Sequence, residues 1–249
     1  MPIIYLSPST QEYNLFYDGA GSEEYYMNLI ADAMEPYLTA SGIEFTRNTP
    51  EMTAASSIRA SNAGNYDAHV ALHSNAAPPA LSGRLRGIDV YYYPGSQRSR
   101  TLADLMVSQL RTIYPLPEQV QALPAQSIGE VTRTRAPAVL LELGYHDNPE
   151  DAEWIRSNIE TIARAVVHGL SDYFGLPFLE PEPIRTATVD IAGGNLNIRA
   201  RPALDAPIAG QAPDGAQLTV LGEWNGWYVV RYGTIEGFVR SEYVTLNYS

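Results

Sequence analysis

The sequence predicts an α/β fold, a mostly parallel sheet covered by helices on both faces, followed by a small all-β barrel. Three observations predict it. From residue 1 to about 176, compact apolar runs alternate with longer segments of helical spacing, the pattern of parallel strands joined by crossover helices. The stretch "LPFLEPEPIRTA" then brings three prolines and two glutamates and fits neither period, as a linker does. Beyond it lie only short β-type runs divided by Gly and Asn-Gly turns, which suit a small barrel. The boundaries expected are 1–176 for the first domain, 177–186 for the linker and 187–249 for the second domain.

Each element follows from its residues. "IIYL" is a short apolar run ended by Ser7-Pro8. In "SEEYYMNLIADAMEPYLTASG", Met27, Ile30, Met34 and Leu38 recur at helical spacing, with Ser22 to cap the helix and Gly42 to end it. "AHVALH", "GIDVYYY" and "PAVLLEL" read as strands, and "SRTLADLMVSQLRTIY" and "AEWIRSNIETIARAVVHGLSDYFG" as helices.

Charge and composition exclude several classes. The chain of 249 residues carries a formal net charge of −12, against the basic surface that nucleic-acid binding needs. It has no cysteine, which removes disulfides, thiolate metal sites and Cys nucleophiles. The opening "MPIIYLSPST" has no basic n-region or apolar h-region, so no signal peptide is seen. No apolar run approaches the roughly 18 residues that span a bilayer, so membrane insertion is not expected. Neither a G-x-S-x-G elbow nor a phosphate-binding glycine loop is present.

Candidate chemistry sits at strand ends. His73 follows Val70-Ala71-Leu72 where the strand should emerge, and ligands bind at the carboxyl ends of such strands; the alternative is a satisfied rim histidine. Glu142 closes another apolar strand, a costly place for a carboxylate that faces no site. Glu24 stands in the first turn of the long helix, where the helix dipole alone would also favour it. His69 lies on the same strand face as His73 but roughly 13 Å away at about 3.3 Å per residue, too far to share a metal. It reads as structural, and His168 reads as a surface or packing residue.

Taken in order, these residues resemble the zinc-dependent N-acetylmuramoyl-L-alanine amidases of the bacterial cell wall, over residues 3 to about 174. The resemblance lies in "EYYMNLIADAM", "IRASNAGNYDAHVALHSNA", "GIDVYYYP", "SRTLADLMVSQL" and "PAVLLELGYHDNPEDA". It implies zinc held by Glu24, four residues before Asn28, and by His73 in "LHSNA", with Glu142 as general base and acid. The family's first-turn "D-P-G-H-G-G", whose His is a further ligand, is replaced here by "SPSTQEYN". Thr10 takes the ungapped position, and Gln11 beside it offers an amide oxygen. His146 is a possible auxiliary ligand, and Arg59, before "ASN", an orienting group for acidic neighbours or a plain salt-bridge partner.

The second domain resembles a bacterial SH3-like domain through "LNIRARP", the "GEWNGWYVV" hairpin, Gly237-Phe238-Val239 and Tyr243-Val244. Its tryptophans read as core rather than ligand platform, since a tiny barrel needs their buried area. Together the two resemblances imply a peptidoglycan hydrolase that cleaves between N-acetylmuramic acid and L-alanine of the stem peptide. The setting implied is an endolysin released from the cytoplasm or a secreted or spore-associated enzyme. The rivals are an inactive or regulatory wall-binding protein and a zinc carboxypeptidase acting on stem peptides.

Overall fold

Strand β1 (Ile3–Pro8) begins the chain, followed by α1 (Glu23–Ala40), β2 (Glu44–Arg47), α2 (Ala54–Ala63) and β3 (Ala68–Asn75). Then come β4 (Ile88–Tyr92), α3 (Gln97–Leu110), β5 (Val120–Pro124), α4 (Gly129–Thr132), β6 (Ala138–Tyr145), α5 (Pro149–Ser157) and α6 (Ile159–Phe174). The computed structural model describes residues 1–247. Six strands form one sheet in the order β2-β1-β3-β6-β4-β5. β1, β3 and β6 run parallel and β4 and β5 run parallel to each other, but β4 lies antiparallel to β6. The sheet is mostly parallel, as expected, with β4–β6 as an antiparallel pairing within it.

The central strands are apolar because both their faces are covered. Every residue of β3 from Ala68 to Ser74 is buried, and a strand buried on alternate faces needs layers above and below it. Helix α3 packs on β4, β5 and β6, while α4 and α5 also meet β6. The long final helix of the sequence reading is two helices. Asn148 starts α5 by accepting from the backbone N–H of Glu150 and Asp151. At Asn158 the backbone leaves helical geometry (φ −128°, ψ 23°), and α6 begins at Ile159.

The described chain forms two compact units. One comprises Ile3–Glu35 and Phe45–Tyr173 and contains the six-stranded sheet. The other takes Met1–Pro2, Pro36–Glu44 and the chain from Phe174 onward. In the second unit β7 (Arg185–Val189), β8 (Asn195–Arg199), β9 (Ile208–Pro213), β10 (Gln217–Trp224), β11 (Trp227–Tyr232), β12 (Ile235–Arg240) and β13 (Val244–Asn247) make a seven-stranded sheet. Its order is β13-β7-β10-β11-β12-β8-β9, with antiparallel neighbours.

The core of that second sheet includes Val189, Ile198, Leu218, Val220, Val230 and Val239. Asn225 and Gly226 both have positive φ, 45° and 79°, the geometry of a two-residue hairpin turn that follows the strands' twist. Of the two tryptophans expected in the core, Trp227 is 6% exposed, whereas Trp224 beside the turn is 38% exposed. Gly222 sits at a register shift of β10 where a Cβ would fall 2.5 Å from the Ala40 carbonyl oxygen, so any other residue would push the two backbones apart. The proline-rich segment is anchored in this unit: Phe178 stacks on Tyr37, and the Leu179 N–H donates to Ser41 Oγ at 2.9 Å.

Candidate active site at the ends of β1, β3 and β6

The site is built where three parallel strands stop. His73 emerges at the end of β3 in register with Glu142 on β6, and the "SPSTQEYN" turn leaves β1 beside them. In that turn Gln11 N–H donates to Ser9 Oγ at 3.2 Å, while Asn14 closes on the start of α1. The Asn14 carbonyl accepts from the Glu23 N–H at 2.8 Å, and Asn14 Nδ2 donates to Glu23 Oε2 at 2.6 Å. The turn therefore delivers Glu23 to the site.

Three polar ends meet there. His73 Nδ1 donates to Glu23 Oε1 at 2.8 Å. Gln11 Nε2 lies 3.3 Å from both Glu23 Oε1 and His73 Nδ1. On the other edge of the ring, His73 Nε2 donates to Glu130 Oε2 at 3.0 Å. Glu130 Oε1 in turn accepts from Ser7 Oγ at 2.7 Å and His69 Nε2 at 3.2 Å. A cleft of about 280 Å³ opens on this group, with Thr10, Gln11, Tyr13, Met52, His73 and Glu130 in its wall. Its Tyr13 is 74% exposed.

The electrostatics divide these groups sharply. Burial opposes a charge on His73, but its bonds to Glu130 and Glu23 prevail and hold its pKa well above the ordinary value. Burial likewise opposes ionisation of Glu130, yet the bonds from His69 and His73 hold its carboxyl well below the usual range. Burial opposes ionisation of Glu23 as well, but the bond and charge of His73 together with bonds from Asn14 and Ser9 lower its pKa. Glu142 goes the other way. Its Oε2 is shut off from solvent with no hydrogen-bond partner. Burial, only partly offset by His73 and reinforced by Glu23, Asp89 and Glu130, pushes its pKa up to about 7. Such a carboxylate is matched to proton transfer near neutrality.

Not every expected residue reaches this corner. Glu23, 1% exposed, faces His73; Glu24, one position on and so about 100° round the helix, has its Oε1 met by Asn28 Nδ2 at 3.4 Å. His146 is buried, but its Nδ1 lies 3.0 Å from Ser74 Oγ and its ring stacks on Phe16. It braces the loop before α1 rather than joining His73. Arg59 lies exposed on α2 and makes no ion pair among the described residues. His69 does not approach Glu23, yet it reaches His73's surroundings through the Glu130 carboxylate.

Three participants escaped the sequence reading. Glu23 was visible only as one of two adjacent glutamates, and Asp89 as a lone acid in an apolar strand. Glu130, on a helix of four residues, carries no local signal at all.

The donor set can be tested against a divalent metal. Among the described residues no three His, Cys, Asp or Glu side chains form a metal-sized group. The corner instead combines an imidazole nitrogen, a carboxylate oxygen and an amide, separated by 2.8, 3.3 and 3.3 Å. Ligands at about 2.0–2.2 Å in a tetrahedron stand roughly 3.3–3.5 Å apart, so three ligands and an open fourth position fit this corner with small adjustment.

A family model described as N-acetylmuramoyl-L-alanine amidase matches residues 14–172, and one described as bacterial SH3 domain matches residues 194–245. A probable cell wall amidase, LytH, of Staphylococcus aureus is 32% identical over 110 residues, 43% of this chain and 35% of that protein's length. The catalytic domain of CwlV, an N-acetylmuramoyl-L-alanine amidase from Paenibacillus polymyxa, superposes with TM-score 0.62 at 16% identity, covering 71% of this chain and all of that one. The CwlD amidase of Clostridioides difficile, solved with the GerS lipoprotein, gives TM-score 0.62 at 18% identity, covering 70% of this chain and 99% of that one. At such identities the superpositions speak to fold alone.

Proposed function

The chain belongs to the N-acetylmuramoyl-L-alanine amidase family, and we propose that it hydrolyses the amide between N-acetylmuramic acid and L-alanine of the peptidoglycan stem peptide. One observation carries this reading: His73, Glu23 and Gln11 converge beside the unpartnered Glu142 carboxylate on the neighbouring strand. His73 through Nδ1, Glu23 through Oε1 and Gln11 with its amide turned over would hold zinc. When bound, zinc supplies a Lewis acid that polarises the scissile carbonyl and lowers the pKa of water.

This chain's own residues do the rest. The Glu142 carboxylate takes the proton from the attacking water and delivers it to the leaving L-alanine amine, a transfer its raised pKa favours. The Asn14 bonds keep Glu23 from turning out of the corner. Residues 1–176 are the catalytic part, 177–186 the connection and 187–249 the SH3-like part. The site of action is the bacterial wall, reached after secretion or by release as an endolysin. Among the described residues no helix is long and apolar enough to cross a membrane.

The test is digestion of purified peptidoglycan with and without zinc, followed by mass spectrometry of the released ends. Free L-alanine N-termini with intact muramic acid support the reading, and cleavage within the stem peptide overturns it in favour of a carboxypeptidase. A second reading has one observation behind it. Both ring nitrogens of His73 are bonded to carboxylates, an arrangement complete without a metal, which favours a non-catalytic wall-binding protein. That protein would sediment with peptidoglycan, take up no zinc and release no ends.

A further inference from the structure

We propose that Glu130 is a positioning residue that grips His73 at Nε2 and so presents Nδ1 to the corner formed by Gln11 and Glu23. This rests on the zinc reading above and adds to it the group that orients the ligand.

The argument begins with donors and acceptors. An ionised carboxylate only accepts hydrogen bonds, so the nitrogens that Glu130 meets, His69 Nε2 and His73 Nε2, must both carry hydrogen. With hydrogen fixed on Nε2, the nitrogen that can give up its proton and turn a lone pair to a cation is Nδ1, the atom 2.8 Å from Glu23 Oε1. Without Glu130 the ring could equally take the other tautomer, or turn about its side-chain bonds toward the cleft.

Glu130 is itself held too firmly to follow the ring. It is 5% exposed, and Ser7 Oγ from β1 and His69 from β3 both donate to its Oε1. His69 is fixed in turn by Ser61 Oγ at 3.0 Å from its Nδ1 and by stacking on Tyr5, ring centroids 5.4 Å apart. Two strands and a helix thus converge on one carboxylate, and only one of its oxygens is left for His73. A carboxylate behind a ligating histidine fixes its tautomer and orientation, and its loss typically costs about 10–100-fold in metal affinity.

The experiment reads the ring directly in the full chain. Long-range nitrogen-15 NMR follows the His73 imidazole in wild type, Glu130→Ala, Glu130→Gln and Glu130→Asp, each with zinc titrated against a chromophoric chelator. Wild type is expected to show a slowly exchanging Nε2–H before and after zinc, with zinc shifting Nδ1. Glu130→Ala should lose the protected Nε2–H and bind zinc about 10–100-fold more weakly, while Glu130→Asp recovers part of both.

Zinc on Nε2 overturns the proposal. So does a folded Glu130→Ala protein with unchanged Nε2–H exchange and affinity. If Glu130→Ala does not fold, the shape-matched Glu130→Gln carries the same two readings. A wild-type protein that takes up no zinc overturns the zinc reading instead, and the Nε2–H signal of the metal-free variants then decides the role of Glu130 by itself.

Discussion

His73 and Glu142 stand side by side on β3 and β6, yet their surroundings are opposite. On the β3 side every polar end has a partner: Glu23 and Glu130 bracket the imidazole, and Asn14, Ser7 and His69 hold those carboxylates. On the β6 side Glu142 Oε2 has no partner, and Asp89, its register partner on β4, adds only like charge. Satisfied groups in a low-dielectric setting are rigid, and an unsatisfied one keeps a high free energy. On the proposed reading the difference divides labour along one sheet edge. The β3 side is suited to holding, and the β6 side to moving a proton.

The largest effect expected from that division is chemical. Glu142→Ala should lower release of L-alanine ends by about 10²–10⁴-fold while zinc uptake stays within a few-fold of wild type. Near-normal turnover would move the proton transfer elsewhere. Next comes the holding side. Glu23→Ala should weaken zinc binding at least as much as loss of an outer-shell partner does, about tenfold or more, whereas Glu24→Ala leaves it unchanged. The reverse order in a chelator titration would return the role to Glu24. Smaller again is a gain: Gln11→His replaces an amide with the nitrogen donor zinc prefers and should tighten binding by about tenfold, roughly 1.4 kcal/mol. Weaker binding would place Gln11 outside the corner.

The smallest effect is on stability. Glu142 has its folded pKa raised to about 7, so its neutral form favours the fold. That contribution is fully present below the unfolded value near 4.3 and is lost as pH rises through about 7. The shift corresponds to an order of 3 kcal/mol. In metal-free protein, Glu142→Gln should therefore gain stability over wild type at pH 8 and little at pH 4, as read by urea denaturation. Equal gains at both pH values would mean that ionisation of Glu142 carries no such cost.

How much was legible depended on whether the signal was local. The strands ending at His73 and Glu142 were readable because buried strands are continuous apolar runs, and a polar residue closing such a run stands out. The start of α1 was readable from Ser22, whose Oγ accepts from the Tyr25 N–H. Which of two consecutive glutamates turns inward was not, because it depends on the phase of the helix relative to the sheet. Asn14 and the turn after β1 set that phase. The antiparallel placement of β4 and the division of α5 from α6 escaped for similar reasons.

By itself, then, the sequence determined an α/β sheet, a second β-rich part, and a histidine and a glutamate at neighbouring strand ends, since each depends on periodicity within a few residues. Only the tertiary structure decided that Glu23 rather than Glu24 meets His73, that His146 and Arg59 stand apart, and that Glu130 reaches across 57 residues of chain to bind the imidazole. Those contacts join residues far apart in sequence. Nothing in a local pattern encodes the distance between such residues until the strands have paired and the helices have packed.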